Sequence, residues 1–579
     1  MTAKHPIGIP PAEDLRQAGD RRAYRQIRRR RLADLAILVS LCVTFLLARL
    51  LDIQLVDGPR LAVRAFQQRT DAMALELPRG AILDRHLAPL NSPVYRWLAG
   101  AYLPHISDSE EVADRLGDIL SVPGTALLER LRSGSGFVIL AEGLSQSEAD
   151  AVTRLQIPGL FVTQRELRYG PAAVAPHVVG HLIAPDNRGV GGLERSFDRW
   201  LAGSGPRTLV AFRDARNQPV PGQTLHTIAG SGGAHDLVTT LDAGRQRRVE
   251  AILSDSEHPA AVVVLDARNA DILVLASHPS FHQARVSNHL HADDAPLWNR
   301  AITHHTPGSV FKLVTAAAAL EYGMVTDRER FVCQGFVVVG DHRMASQCPA
   351  LQPWATGSEP EISWKEAMAA STNEVFVELG LRTGAANLIA MARSLGFGQP
   401  TGLPLVEETS GYLPGPDRLP LTGELAMLSI GQGPVTVTPL QVAQMMAAIV
   451  NGGWMQRPRL VEQIRSSDGE IAEAFPAQDP VRVLSPDTAR HLREAMIATV
   501  KTGTGQAADV AVYGAAGKTG SAETHDSQGR PTVDAWFAGY TPAILPRYVI
   551  VVWVENGGSG PRVAAPLFNL VAEAVMPPR

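Results

Sequence analysis

The sequence predicts an α+β protein in which an antiparallel sheet packs against helices, behind an N-terminal spacer domain and one transmembrane helix. Three observations carry this. Apolar, β-branched runs stand at both ends of the second half, Ala260 to Leu265 and Asp271 to Ala276 early and Tyr548 to Val554 late, with mainly helical patterns between. A dense Arg cluster leads directly into an uncharged apolar run near the N-terminus. A small-residue linker, Ala229-Gly230-Ser231-Gly232-Gly233, divides a first part without candidate reactive groups from a second part that holds them.

With 579 residues there is room for two or three domains, and a net charge of -4 gives no reason to expect nucleic acid as a partner. Charge is distributed unevenly. Arg21, Arg22, Arg25, Arg28, Arg29, Arg30 and Arg31 form a basic cluster, and Leu35 to Ala48 then carries no charge. A cleaved signal peptide fits poorly, because Leu47-Ala48-Arg49 is a weak cleavage site. The uncharged run is shorter than the ~20 residues that span a bilayer, which leaves a soluble core helix as a second reading. Flanking Arg side chains snorkel, however, so the span extends from about Asp34 to Val56. The positive-inside rule puts the Arg cluster in the cytoplasm and everything after the span outside. The expected division is therefore a basic cytoplasmic tail (residues 1–33), a single-pass anchor (34–56), a spacer domain (57–230) and a second domain (236–579).

The tail has no apolar period and reads as mobile. Leu61 to Ala74 has helical periodicity, and Leu77 to Arg85 reads as a turn and a short strand. Amphipathic helices are expected at Ser109 to Leu120 and Ser145 to Leu155, with short strands at Phe137 to Leu140 and Leu160 to Val162. Gly189-Val190-Gly191-Gly192-Leu193-Glu194-Arg195 reads as a turn into a helix. Beyond the linker come a strand (Leu237 to Leu241), a helix (Ala243 to Leu253), a hairpin turning at Arg268-Asn269-Ala270, and a closing helix (Leu567 to Val575). Outside the anchor the only cysteines are Cys333 and Cys348. An extracytoplasmic pair forms a disulfide; Asp341 and His342 between them make a metal site the alternative, although the spacing matches no standard zinc pattern.

The chemistry centres on His305-Thr306-Pro307-Gly308-Ser309-Val310-Phe311-Lys312, followed by an Ala-rich helical run ending at Gly323. Ser309 then sits in the first helical turn and Lys312, three residues on, shares its face. The positive end of the helix favours charge on the Ser oxygen, and burial lowers the Lys pKa toward a neutral base. A serine nucleophile further needs a proton relay, an oxyanion hole and a grip on an anionic substrate. Ser371-Thr372-Asn373, between helical stretches, offers a hydroxyl and an amide, although such a tripeptide is commonly only a helix cap. Lys518, Thr519, Gly520 and Ser521 precede an apolar strand and so lie on an edge strand. Gly517-Lys518 is no phosphate-binding loop, since Val512 stands where its first Gly is required. Lys501-Thr502-Gly503-Thr504-Gly505 repeats the tripeptide, but it ends a helical run and reads as a helix-terminal loop.

Ser309/Lys312, Ser371/Asn373 and Lys518/Thr519/Gly520, in that order, resemble the motif set shared by penicillin-binding proteins and serine β-lactamases. The flanks Asn299-Arg300-Ala301, Gly431-Gln432-Gly433, Thr438-Pro439-Leu440 and Ala535 to Tyr540 resemble the same family. Pro78-Arg79-Gly80 with Asp84-Arg85, then Gly191-Gly192-Leu193-Glu194, are similar to the elongated pedestal or dimerisation domain of class B penicillin-binding proteins. His305-Thr306 departs from the aromatic residue often found before Pro-Gly-Ser, and Thr372 and Glu374 are individual choices around the second motif.

The resemblance implies an acyl-serine D,D-transpeptidase that cross-links peptidoglycan stem peptides, is acylated by β-lactams, and needs no cofactor or metal. In it Ser309 would be the nucleophile, Lys312 the base, Ser371 with Lys518 the relay, and Asn373 a substrate contact. Lys518, Thr519, Gly520 and Ser521 would hold the substrate, with the N–H groups of Ser309 and Ser521 as oxyanion hole. Implied partners are the lipid-linked precursor polymer and a multi-span membrane glycosyltransferase. A membrane-anchored β-lactam sensor and a catalytically idle scaffold are the alternatives, and elongation versus division stays open.

Overall fold

The computed structural model describes residues 12–577 except 77–78, 184–186, 204–206, 215, 217–219, 221–224, 229–232, 340–341, 347, 349–360, 420 and 527. Pro78, Asp341 and the linker up to Gly232 thus lie outside the described residues.

Helix α1 (Ala12–Leu51) runs through the basic cluster instead of beginning near Asp34. Arg, Ala and Leu are good helix formers, so the apolar helix extends backward into sequence that has no apolar face of its own. Gln26–Val56 is long and apolar enough to cross a membrane: 31 residues, holding an 18-residue window of mean hydropathy 2.2, none of it buried against the rest. Asn373–Ser394 passes the same length and composition test, but more than half of its window is buried, as befits a core helix. Past the anchor, the helix at Gly58–Arg69 stops earlier than its periodicity suggests. From Thr70 the chain becomes a strand, which pairs antiparallel with Arg207–Phe212.

The spacer domain is built on strand Val94–Tyr102, flanked antiparallel by Phe137–Leu144 and Leu160–Leu167. Its core is Leu116, Leu127 and Leu140 from helices and strand, all fully buried. Asp108 caps the Ser109–Leu120 helix by accepting from the N–H groups of Glu110 and Glu111, and Ser145 with Glu148 forms a capping box on the next amphipathic helix.

Two devices join this domain to the second. Ile82–Leu83 adds in parallel to Asp236–Thr239, which pairs with Val461–Arg465 in a four-stranded sheet. Only glycine fits at position 80, because a Cβ there would lie 1.8 Å from the His235 carbonyl oxygen. Next to it, fully buried Glu194 accepts from Arg79 Nε at 2.6 Å, from Arg168 Nε and from the Tyr169 hydroxyl at 3.2 Å. Arg79, Gly80 and Glu194, which the sequence singles out far apart, are therefore one buried cluster.

The second domain is organised by five antiparallel strands: β1 (Ala260–Asp266), β2 (Ile272–His278), β3 (Ala516–His525), β4 (Pro531–Thr541) and β5 (Tyr548–Val554). Their order is β2-β1-β5-β4-β3, so β3 is an edge. Helices cover both faces, more than the expected packing against the middle region alone. Val262, Val264, Ile550 and Val552 face α2 (Ala243–Ser254) and α8 (Ala565–Val575). Val263, Val549 and Val551 face the larger core formed by α3 (Lys312–Glu321), α4 (Trp364–Ala370), α5 (Asn373–Ser394), α6 (Pro439–Val450) and α7 (Pro486–Lys501). Cover on both faces explains why β5 reads as an unbroken apolar run without alternation. Cys333 and Cys348 are disulfide-bonded with Cα atoms 6.1 Å apart, so neither thiolate is available to a metal.

Removing Glu194 leaves two guanidinium groups buried without their shared carboxylate. Glu194→Ala is expected to lower the unfolding free energy by about 3–5 kcal/mol, read as a fall in Tm of the full-length chain in detergent.

Candidate active site

Proline and glycine set up the turn that carries Ser309. Gly308 has φ +53°, which ends the preceding chain, and Gly308–Phe311 then forms one 3-10 turn that feeds α3. In a 3-10 turn residues three apart eclipse one another, so Ser309 and Lys312 lie on one face as the spacing predicts. Lys312 is fully buried, whereas Ser309 is half-buried and its hydroxyl has no hydrogen-bond partner among the described residues.

Close backbone contacts hold this turn against the sheet. A Cβ on Gly308 would lie 3.0 Å from Ala522, and one on Gly520 would lie 3.0 Å from Val310 Cγ2. The Gly308 N–H donates to the Gly431 carbonyl at 3.0 Å, and a Cβ on Gly431 would come within 2.0 Å of the Gly308 oxygen. Trp536 Nε1 donates to the Thr306 carbonyl at 2.9 Å. His305 stacks on Trp553 with ring centroids 3.6 Å apart, while its Nε2 meets the Arg300 carbonyl at 3.0 Å. Burial pushes the His305 pKa down to about 3, so a neutral flat ring stands where the family often has an aromatic residue.

Ser371-Thr372-Asn373 is indeed a junction between helices, closing α4 and opening α5. Its polar groups face the lysines as well. Ser371 takes the left-handed conformation (φ +59°) as the C-cap of α4, which turns its carbonyl and hydroxyl toward the lysines. Thr372 makes no side-chain cap, and Lys312 Nζ donates to the Ser371 carbonyl at 2.7 Å and to Asn373 Oδ1 at 2.7 Å.

The Ser371 hydroxyl lies between two amines, 3.3 Å from Lys312 Nζ and 2.8 Å from Lys518 Nζ. Lys518, fully buried in β3, also donates to the Thr519 carbonyl at 2.9 Å. Burial, and then the charge of Lys518, hold the Lys312 pKa well below that of an ordinary lysine; burial alone lowers Lys518 to about 7. A neutral Lys312 has two N–H bonds and one lone pair. With both hydrogens given to the Ser371 carbonyl and Asn373 Oδ1, the lone pair remains to accept a proton.

The structure thus joins Lys312, Ser371, Asn373 and Lys518 in one hydrogen-bonded cluster, with Ser309 on the Lys312 face. Thr519, Gly520 and Ser521 follow on the edge strand, where Ser521 is exposed and its Oγ accepts from the Gly560 N–H at 3.1 Å. One residue was not foreseen. Thr504, within the repeated tripeptide, places Oγ1 2.6 Å from Thr519 Oγ1, and its N–H donates to the Ala369 carbonyl at 3.0 Å. The segment does end α7, as its glycines indicate, and Gly503 packs where a Cβ would be 2.2 Å from the Ala369 oxygen. That second role has no local signal, because it depends on contacts with α4 and β3.

Comparison with known proteins accords with this geometry. The family model described as "Penicillin binding protein transpeptidase domain" matches residues 260–573. The chain is 29% identical to stage V sporulation protein D of Bacillus subtilis, over 94% of this chain and 85% of that protein. It is 27% identical to peptidoglycan D,D-transpeptidase FtsI of Escherichia coli, over 94% and 91%. Among solved structures, penicillin-binding protein 3 of Mycobacterium tuberculosis complexed with aztreonam superposes with TM-score 0.62 at 27% identity, covering 87% of this chain and 96% of that one. A chain from a structure titled for the coordination of polymerization and crosslinking by a peptidoglycan synthase complex gives TM-score 0.68 at 27% identity, covering 94% and 98%.

The turn-to-turn contact at Gly431 has no room for a methyl group. Gly431→Ala is expected to cost about 1–3 kcal/mol, seen as a lowered Tm. Gly323→Ala, where nothing lies within 4 Å, pays only for its positive φ and is expected to fall less.

Proposed function

This chain belongs to the penicillin-binding protein transpeptidase family, as a class B member, and from that premise we propose that Ser309, Lys312, Ser371, Asn373 and Lys518 carry out its peptidoglycan cross-linking. The reaction is D,D-transpeptidation through an acyl-serine, and β-lactams enter the same path. The observation that carries the assignment is the Ser371 hydroxyl held between two buried amines of lowered pKa, one of which lies three residues after Ser309.

Ser309 Oγ attacks the carbonyl of the penultimate D-alanine of a stem peptide as its proton passes to neutral Lys312. The N–H groups of Ser309 and Ser521 take the oxyanion, at about 3 kcal/mol per donor in comparable sites. The C–N bond breaks, and the departing D-alanine amine receives the proton by way of Ser371, with Lys518 beside it. An amine of a neighbouring stem then attacks the ester, and Ser309 regains its proton as the new amide forms. Asn373, whose Oδ1 is fixed by Lys312, presents its Nδ2 to the substrate amide. Lys518 and Thr519 hold the terminal carboxylate, with Gly520 and Ser521 next to them on the substrate-binding edge. A β-lactam forms the ester but leaves no free amine to depart.

The protein is membrane-anchored. We read the basic tail (1–33) as cytoplasmic, 34–56 as the span, and the pedestal (57–230) and transpeptidase domain (236–579) as extracytoplasmic; the Arg cluster before the apolar helix supports this orientation. The peptidoglycan synthase complex among its structural relatives supports a multi-span glycosyltransferase as partner.

Fluorescent penicillin labelling of the full-length chain tests these roles. Ser309→Ala is expected to abolish labelling, and labelling of Ser309→Ala at the wild-type level would end the assignment. Lys518→Ala is expected to lose labelling while Lys501→Ala, on the repeat, keeps it. Because the folded pKa of Lys312 lies below its ordinary value, its basic form is lost as pH falls through that folded pKa. The acylation rate is expected to drop toward acid by about tenfold per pH unit, and Lys312→Arg to slow it by about 10²–10⁴-fold at any pH.

A further inference from the structure

The repeated Lys-Thr-Gly tripeptide and the residue after it touch their own counterpart on β3. Lys501 and Thr502 are exposed at the end of α7, whereas Thr504 is half-buried. The Thr504 N–H donates at 3.0 Å to the carbonyl of Ala369, which stands in the last turn of α4 two residues before Ser371. Its hydroxyl oxygen lies 2.6 Å from Thr519 Oγ1. Thr504 therefore bridges the helix that ends at the Ser371 junction and the strand that carries Lys518.

The direction of the 2.6 Å contact follows from what each hydroxyl can do. A hydroxyl has one hydrogen to give and two lone pairs to accept with. Thr519 Oγ1 has two donors near it, the Thr504 hydroxyl at 2.6 Å and, more distantly, Lys518 Nζ at 3.5 Å. When both donate to Thr519, its own hydrogen is left for a third group. Among the described residues, the other acceptor for the Thr504 hydroxyl is the Ala369 carbonyl at 3.3 Å, which already receives the Thr504 N–H. The shorter contact is thus the better use of the Thr504 hydrogen.

We infer that Thr504 is a positioning residue for recognition of the substrate carboxylate: its hydroxyl donates to Thr519 and so commits the Thr519 hydrogen to an anion in the cleft. This rests on the transpeptidase reading, in which Lys518 and Thr519 hold the terminal carboxylate of the stem peptide. A carboxylate accepts and never donates, so Thr519 serves it only as a donor. Without the Thr504 hydroxyl, Thr519 loses the neighbour that fixes its rotor, and its hydrogen is no longer directed. Lys501, on the exposed side of the same loop, has no part in this.

The test is acylation of the full-length chain in non-ionic detergent by benzylpenicillin and by its methyl ester, followed by mass spectrometry of the intact protein. Only the acid carries the carboxylate, so the ratio of the two second-order rate constants reads the carboxylate grip apart from the chemistry at Ser309. Thr504→Val keeps the branched shape and removes the hydroxyl. It is expected to slow acylation by the acid about tenfold and to leave the ester's rate unchanged. Thr504→Ser, which keeps the hydroxyl, is expected to retain the wild-type ratio. Equal falls for acid and ester in Thr504→Val mean a structural role alone and overturn the inference, as does an unchanged rate for the acid. A lowered ratio in Thr504→Ser equal to that in Thr504→Val overturns it as well, since the hydroxyl would then not be the cause. Acylation that persists in Ser309→Ala ends instead the transpeptidase reading, and the inference with it.

Discussion

The burial of one amine governs the second domain. In the proposed mechanism Lys312 serves as a base only without its proton, and water would return that proton at neutral pH. The surrounding structure excludes water and supplies two acceptors, the Ser371 carbonyl and Asn373 Oδ1, that saturate its hydrogens. Those acceptors come from the junction of α4 and α5, so two helices are broken where the lysine needs partners. The left-handed backbone at Ser371 is part of the same arrangement, since it turns the carbonyl and hydroxyl toward Lys312 and Lys518.

The second constraint is distance. The proposed nucleophile on its turn and the proposed carboxylate grip on the edge strand work together only if the two backbones almost touch. Glycine at 308, 431 and 520 permits this, because each site would place a Cβ within 3.0 Å of a neighbouring atom. Trp536 and His305 pin the approach to the turn from the sheet side, one by a hydrogen bond and one by stacking. These contacts give the residues around the motifs a positioning role of their own.

Much of this was legible in the chain. Short-range spacing determines whether Ser309 and Lys312 share a face, and β-branched runs determine where β1, β2 and β5 form. The edge position of β3 follows from polar residues preceding an apolar strand. Less legible were features fixed by contacts distant in sequence. Thr504 joins Thr519 only because α7 ends against α4, and Arg79, Arg168 and Glu194 meet only after the first domain closes on itself. The helix start at Ala12 was missed for a different reason: periodicity detects a buried face, and a helix through seven arginines has none to detect.

The parallel pairing of Ile82–Leu83 with Asp236–Thr239 bears on how the molecule is divided. The small-residue stretch near residue 230 marks a change of composition, and backbone hydrogen bonds join the chain on either side of it. A fragment begun just after it would carry a strand with one bare edge where the earlier chain had lain, open to pairing with another copy. The two parts are therefore joined by strand pairing as well as by the chain itself, and cutting between them would expose an edge and not free a self-contained unit.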